Sequence, residues 1–268
     1  MAVIDTYLTF FYKSFKSQAM YHLAAAMGLL GSVLNFFIQA CLWTVLIKTG
    51  VRQDITRLTL QEMMLFVAIN TMAAALTQPA IINELGAEIR DGSVIMHFLR
   101  PVSFRLYVFC VMMGKNAYRM ATSALPVILI SCFFIEFPSP PSPACALASL
   151  ASLFLGTLIV FELVYITALL AFWTQATWYL SWYLNAGITF LGGTFIPLWF
   201  YPQSLRQASA VLPFRYITFE AIDLWLGKIP LGHAAQSLAV ALGWALALFG
   251  VSSLLWRRAL KKMTINGG

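Results

Sequence analysis

The charged chemistry of this chain is concentrated in residues 83–105, NELGAEIRDGSVIMHFLRPVSFR. Glu84, Glu88 and Asp91 stand there among Arg90, Arg100 and Arg105. Long apolar runs flank the stretch on both sides. A charge at the centre of a bilayer costs about 2.5–3.5 kcal/mol on the mildest scale, so the stretch must lie in water. Yet Ile89, Val94, Ile95, Met96, Phe98 and Leu99 are interleaved with the charges. A purely solvating loop has no use for them. Apolar anchors set among charges of both signs are what a protein-docking surface needs. The plain alternative is a solvated loop.

One further acid, Glu162, lies well inside an apolar run. An intramembrane carboxylate is a candidate site for proton or ion movement. It is equally a candidate structural partner for Lys115 or Arg119, or a protonated carboxyl bonded within a helix bundle. Asn35 and Gln39 are four residues apart, so they share a helix face. They either tie helices together or line a path. His22, His97 and His233 are far apart, and Cys41, Cys110, Cys132 and Cys145 form no CxxC. Cys132 and Cys145 near one membrane face leave a disulfide open, against the plainer reading of free apolar thiols. No GxxxxGKS or GxxxxGKT phosphate loop, HExxH or GxSxG occurs. ATP binding, zinc hydrolysis and serine catalysis by this chain therefore lack support.

The elements that must hold these residues follow from composition. The chain of 268 residues is 60% hydrophobic and 10% charged, with mean hydropathy +0.80. Soluble domains carry about 25% charged residues, so this is an all-α polytopic membrane protein. With about 20 apolar residues per span, there is room for six transmembrane helices. Scattered basic residues and no soluble domain argue against nucleic acid as a partner. The apolar run from Leu23 is too long for a signal sequence and reads as a retained span.

Residues 4–19 combine apolar positions at helical spacing with Lys13 and Lys16. They predict an N-terminal interfacial helix, or an extension of the first span. Spans follow at 23–47 and 62–82, the second bearing Gln78 and Pro79 as a kink near its end. After Pro101 a helix is expected over 104–137, with span three at 117–136 and Lys115 and Arg119 at the headgroup level. Four prolines in 137–143 break the chain. Span four is 145–171. Trp173, Trp178, Tyr179, Trp182 and Tyr183 suggest an interfacial belt. Span five is 178–198. Residues 194–232 hold Pro197, Pro202, Pro213 and Pro230. They predict two short helices, 204–212 and 214–226, re-entering from the outer face, with Gly227 ending the second. Span six is 234–255.

Lys and Arg counts set the orientation. With both termini inside, the inner segments carry Lys13, Lys16, Arg90, Arg100, Arg105, Lys115, Arg119, Arg257, Arg258, Lys261 and Lys262. The outer ones carry only Lys48, Arg52, Arg57, Arg206, Arg215 and Lys228. Residues 83–105 are then cytoplasmic.

Two stretches carry a family resemblance. EIRDGSVIMHFLRPVSFRLY (88–107) resembles the loop after the second span of ABC-2 type permeases, where an acid-Ile-x-x-Gly segment leads to Leu-Arg-Pro. GGTFIPLWFYPQSLRQASAVLPFRYITFEAIDLWLGK (192–228) resembles their region between spans five and six. The WRRALKK ending and the number of spans agree as well, so the resemblance covers residues 1–268 as a single transmembrane domain. One departure is Glu220, after Thr218 and Phe219, where a proline-containing segment is the family pattern. It bears on the shape of the second outer helix.

The resemblance implies the transmembrane subunit of an ABC exporter in the plasma (inner) membrane. Such a permease works as a homo- or heterodimer with a second permease, on two ABC ATP-binding subunits that carry the ATP and Mg. Residues 83–105 would then contain its coupling helix. Ile89, Ile95, Phe98 and Leu99 would anchor it, while Glu88, Arg90, Asp91 and Arg100 set register. Gly92 would allow a bend and Pro101 would separate the docking helix from the next. Spans one, two and five would line the path, making Asn35, Gln39, Gln78 and Asn185 its polar candidates. The expected substrate is amphipathic or hydrophobic: a drug-like compound, lipid, peptide or glycan. The rival is an ion- or proton-coupled secondary transporter using Glu162, although no matching pair of broken helices marks an inverted repeat.

Overall fold

A computed structural model describes residues 2–49, 58–76, 80–99, 101–133, 136, 138–174 and 178–266. All regular structure among the described residues is helical. Helix α1 (Ala2–Ala19) precedes α2 (His22–Thr49), a long run with an almost uniformly apolar surface. Helix α3 (Leu60–Leu76) opens on a reciprocal cap. The Thr59 backbone N–H donates to Glu62 Oε2 at 2.8 Å, and the Glu62 N–H donates to Thr59 Oγ1 at 3.2 Å. Helices α4 (Ala80–Arg90) and α5 (Ile95–Phe98) bracket Gly92. The Gln78–Pro79 kink expected between α3 and α4 lies outside the described residues.

A helical rod then runs over 104–132, made of α6 (Phe104–Arg119), a π turn (Met120–Ala124) and α7 (Leu125–Cys132). The π turn absorbs Pro126, which has no N–H to give and would clash with the carbonyl four residues earlier in an α-helix. Helix α8 (Pro143–Leu169) starts on Ser142, whose hydroxyl accepts from the Cys145 N–H at 3.2 Å, with Pro143 at the first helical position. The four cysteines are free.

The sequence expectation for span five needs correction. Helix α9 (Trp178–Leu191) stops at Gly192 and Gly193 instead of running to 198. Gly193 has φ +68°, and a Cβ there would sit 2.6 Å from Leu198 Cγ, so the chain turns back on itself. Short 3₁₀ turns and helices follow: Leu198–Phe200, α10 (Gln203–Val211), Pro213–Ile217 and α11 (Phe219–Trp225). The helix expected over 214–226 is therefore split at Thr218 (φ −142°, ψ −40°). Gly227 (φ +68°) ends α11 as expected, with the Lys228 N–H bonded to the Asp223 carbonyl at 2.9 Å. Helix α12 (Leu231–Asn266) closes the chain.

Among the described residues, four stretches are long and apolar enough to cross a membrane: His22–Thr49, Leu60–Arg90, Pro143–Phe172 and Leu231–Lys262. The rod over 104–132 and α9 are not in that set. The rod carries Arg105, Lys115 and Arg119, and the 14 residues of α9 span about 21 Å against about 30 Å of hydrocarbon.

Two apolar clusters hold the helices. One joins α4, α6, α8, α9 and α12 around Ile82, Val108, Ile159, Val164 and Ala168. The other joins α2, α3, α7 and α11 around Trp43, Phe66, Val127 and Ile222. Helix α11 lies antiparallel along α8. The Ser149 hydroxyl donates to the Ala221 carbonyl at 2.7 Å, and Trp225 Nε1 donates to the Pro138 carbonyl at 3.0 Å. At Gly156 a Cβ would fall 2.2 Å from the Ile217 carbonyl, so only glycine permits that approach.

Candidate functional site

The charged stretch folds into a short, braced loop. Helix α4 ends at Arg90, and Gly92 takes φ +74°, a conformation that costs other residues about 1 kcal/mol or more. This reverses the chain, so the Val94 N–H reaches back to the Glu88 carbonyl at 3.1 Å. Val94 is thereby buried under the loop. Helix α5 follows as one turn. His97 Nε2 and Glu88 Oε2 are 3.0 Å apart across it, and the imidazole lies against Tyr107 (4.5 Å between ring centroids) and Phe104. The Ser103 N–H donates to the Tyr7 hydroxyl at 2.8 Å, which ties α1 to the loop's exit.

The anchors proposed from sequence divide. Ile95 and Leu99 point outward, with Leu99 74% exposed, and Met96 joins them. Arg90, Asp91 and Pro101 are exposed around this apolar patch. Ile89 instead packs against the core, and Glu88 is engaged with His97. The Phe98 side chain and Arg100 lie outside the described residues. His97 and Tyr7, which brace the loop, carry no signal in sequence beyond being polar aromatics near charges.

A second site lies inside the bundle. A cleft of about 420 Å³ opens between α2, α3, the rod and the end of α9. Asn35 and Gln39 both line it, in contact with each other at 3.5 Å. Thr71, Thr122 and Thr194 add hydroxyls. Asn70, absent from the sequence candidates, is 8% exposed, lines the same cleft, and its amide nitrogen and oxygen have no partner among the described residues. Only its position on an apolar helix face could have signalled it. Asn185 is exposed on α9 and does not line the cleft. Gln78 lies outside the described residues.

Glu162 does not pair with Lys115 or Arg119. Lys115 pairs with Glu84, and Glu162 pairs with Arg105. The reason is helical position: Arg105 opens α6 at the level where α8 carries Glu162, a full two turns and more from Lys115 on the same helix. No group of three metal-ligating side chains occurs among the described residues.

Together, these features define a multi-pass, all-helical membrane protein with a polar cleft inside and a braced loop at one end. The family model described as ABC-2 family transporter protein matches residues 33–267, and the chain belongs to that family. Members of that family are membrane transport subunits, and membership implies partnership with ABC ATP-binding subunits. No curated protein and no solved structure matches the chain.

Proposed function

We propose that this chain is the permease subunit of an ATP-driven exporter, working as a dimer with itself or a sister permease on two ATP-binding subunits. ATP and Mg are held by those partners. The observation that carries the reading is the loop: Ile95, Met96 and Leu99 project from a one-turn helix whose other side is fixed to the core through Val94 and His97. A rigid mount beneath exposed apolar anchors suits a surface that receives force. In this reading the rod and α9 supply the two crossings beyond the four long apolar stretches, and α10 and α11 re-enter from the outer face. Support for re-entry comes from α11, whose residues Phe219 to Leu224 are all buried and whose backbone is shielded by α8.

The cleft lined by Asn35, Gln39 and Asn70 is the proposed path for an amphipathic or hydrophobic substrate. The unpartnered amide of Asn70 in a low-dielectric bundle favours a ligand with hydrogen-bonding groups. Against the ion-coupled alternative, the Glu162 carboxylate is engaged by Arg105 and by Ser252. The direct test is co-purification of the permease with its ATP-binding subunit, followed by transport in vesicles. Transport that follows ATP supports the proposal. Transport driven by a proton gradient with no ATPase present overturns it.

A further inference from the structure

Arg105 and Glu162 belong to one buried network that joins three helices. Arg105 sits in the first turn of α6, four residues after Pro101. Glu162 sits within α8 and is 5% exposed. The guanidinium donates to Glu162 Oε2, to the Ser252 hydroxyl and, at 2.9 Å, to the Ser253 hydroxyl of α12. The Ser252 hydroxyl in turn donates to Glu162 Oε2 at 2.7 Å. The guanidinium face covers the Phe249 ring at 3.8 Å. Beside it, Phe104 stacks on Trp256 of α12 with centroids 4.8 Å apart and planes 10° apart.

An apolar trio of the same volume would hold three helices together at least as well, because a buried ion pair recovers little more than its own desolvation. What a guanidinium adds is direction. Its rigid fork fixes angle as well as distance, and the low-dielectric surroundings stiffen each bond. The fork stands at the one place where the chain leaves the docking loop and enters the bundle. We infer that Arg105 and Glu162 are positioning residues that carry displacement of the loop into α8 and α12, and that Glu162 is not a proton site. This inference rests on the loop being where the ATP-binding subunit acts.

The test uses the full complex with its ATP-binding subunits in lipid nanodiscs, on a background with the four cysteines replaced. Spin labels at Ser93→Cys and Leu254→Cys, each measured against Met27→Cys, report the loop and α12 separately. All three positions are exposed, and none belongs to the apolar docking patch. In the parent, ATP shifts both distance distributions. In R105M/E162Q, which removes both charges and leaves none unpaired, the loop still shifts, while the ATP-shifted α12 population falls about five-fold, the size expected for loss of a coupling network. Glu162→Asp, which keeps the charge, retains most of the α12 shift. A merely structural pair would lower the melting temperature and leave the α12 response intact. A folded R105M/E162Q complex whose α12 shifts as in the parent overturns the inference while leaving the coupling loop in place. A parent loop that ignores ATP overturns both.

Discussion

At the scale of single residues, Ile89 and Leu99 show how one charged stretch serves two ends. Leu99 is exposed beside Ile95, whereas Ile89 packs inward. Leu99→Asp and Ile95→Asp should each weaken capture of the ATP-binding subunit by about ten- to a hundred-fold, since a central apolar anchor contributes about 2 kcal/mol or more. Pull-down against a dilution series measures this, and the melting temperature of the isolated permease should stay at the parent value. Ile89→Asp should instead lower the melting temperature, because it buries a charge among apolar side chains. The glycines divide in the same way. Gly156→Ala places a methyl against the Ile217 carbonyl and should destabilise by about 1–3 kcal/mol. Gly243→Ala meets nothing within 4 Å and should be neutral or stabilising by up to about 1 kcal/mol. Unfolding titrations in mixed micelles separate the two. Gly227 stood out in sequence because it follows a helical pattern and precedes a break, and Gly92 because of its place in the family motif. Gly156 did not, because its role is set by a segment far away in sequence.

At the scale of elements, residues 194–232 are where sequence reading succeeded in outline and missed in detail. Their prolines announced short helices, and α10 falls within a residue of its expected bounds. The break at Thr218 and the early stop of α9 were not legible, because both answer to packing. Gly193 closes on Leu198, and Ile217 closes on Gly156. Glu220, the one departure from the family pattern, turns out to organise this region. It accepts from Arg215 Nε at 2.6 Å and from the Ser237 hydroxyl at 2.6 Å, while Trp199 Nε1 donates to Asp223 at 2.8 Å. Arg215 thus serves two buried acids. Arg215→Met leaves both without their cation and should cost about 3–5 kcal/mol of stability, whereas R215M/E220Q/D223N should recover most of it. Thermal unfolding of the purified permease measures both. Equal losses in the single and triple variants would show that the guanidinium acts through packing alone.

At the scale of the whole molecule, the polar segments gather at two ends of the bundle. Lys228 reaches Glu62 at 3.3 Å and covers the Trp199 ring at 3.9 Å, and Trp225 reaches Pro138. These bonds collect the segments that the charge count places outside. At the other end Tyr7 meets Ser103, Arg105 meets Ser253, Lys115 meets Glu84 and Lys262 faces the Trp173 ring. These are the segments placed inside. The contacts group the segments by end and carry no sidedness, so which end faces the cytoplasm rests on the charge count alone. The sorting yields a sidedness experiment. On a cysteine-free background, Leu99→Cys and Leu260→Cys should react with a membrane-impermeant maleimide only when the inner face is open to it. Leu205→Cys, exposed on α10, should react from the outer face in intact cells. If α10 and α11 formed part of a crossing in place of a hairpin, the two ends of this region would label from opposite sides. Lys228→Cys beside Leu205→Cys decides it: the hairpin requires both to react from outside, and labelling of Lys228→Cys only from within would reverse α12 and with it the placement of the docking loop.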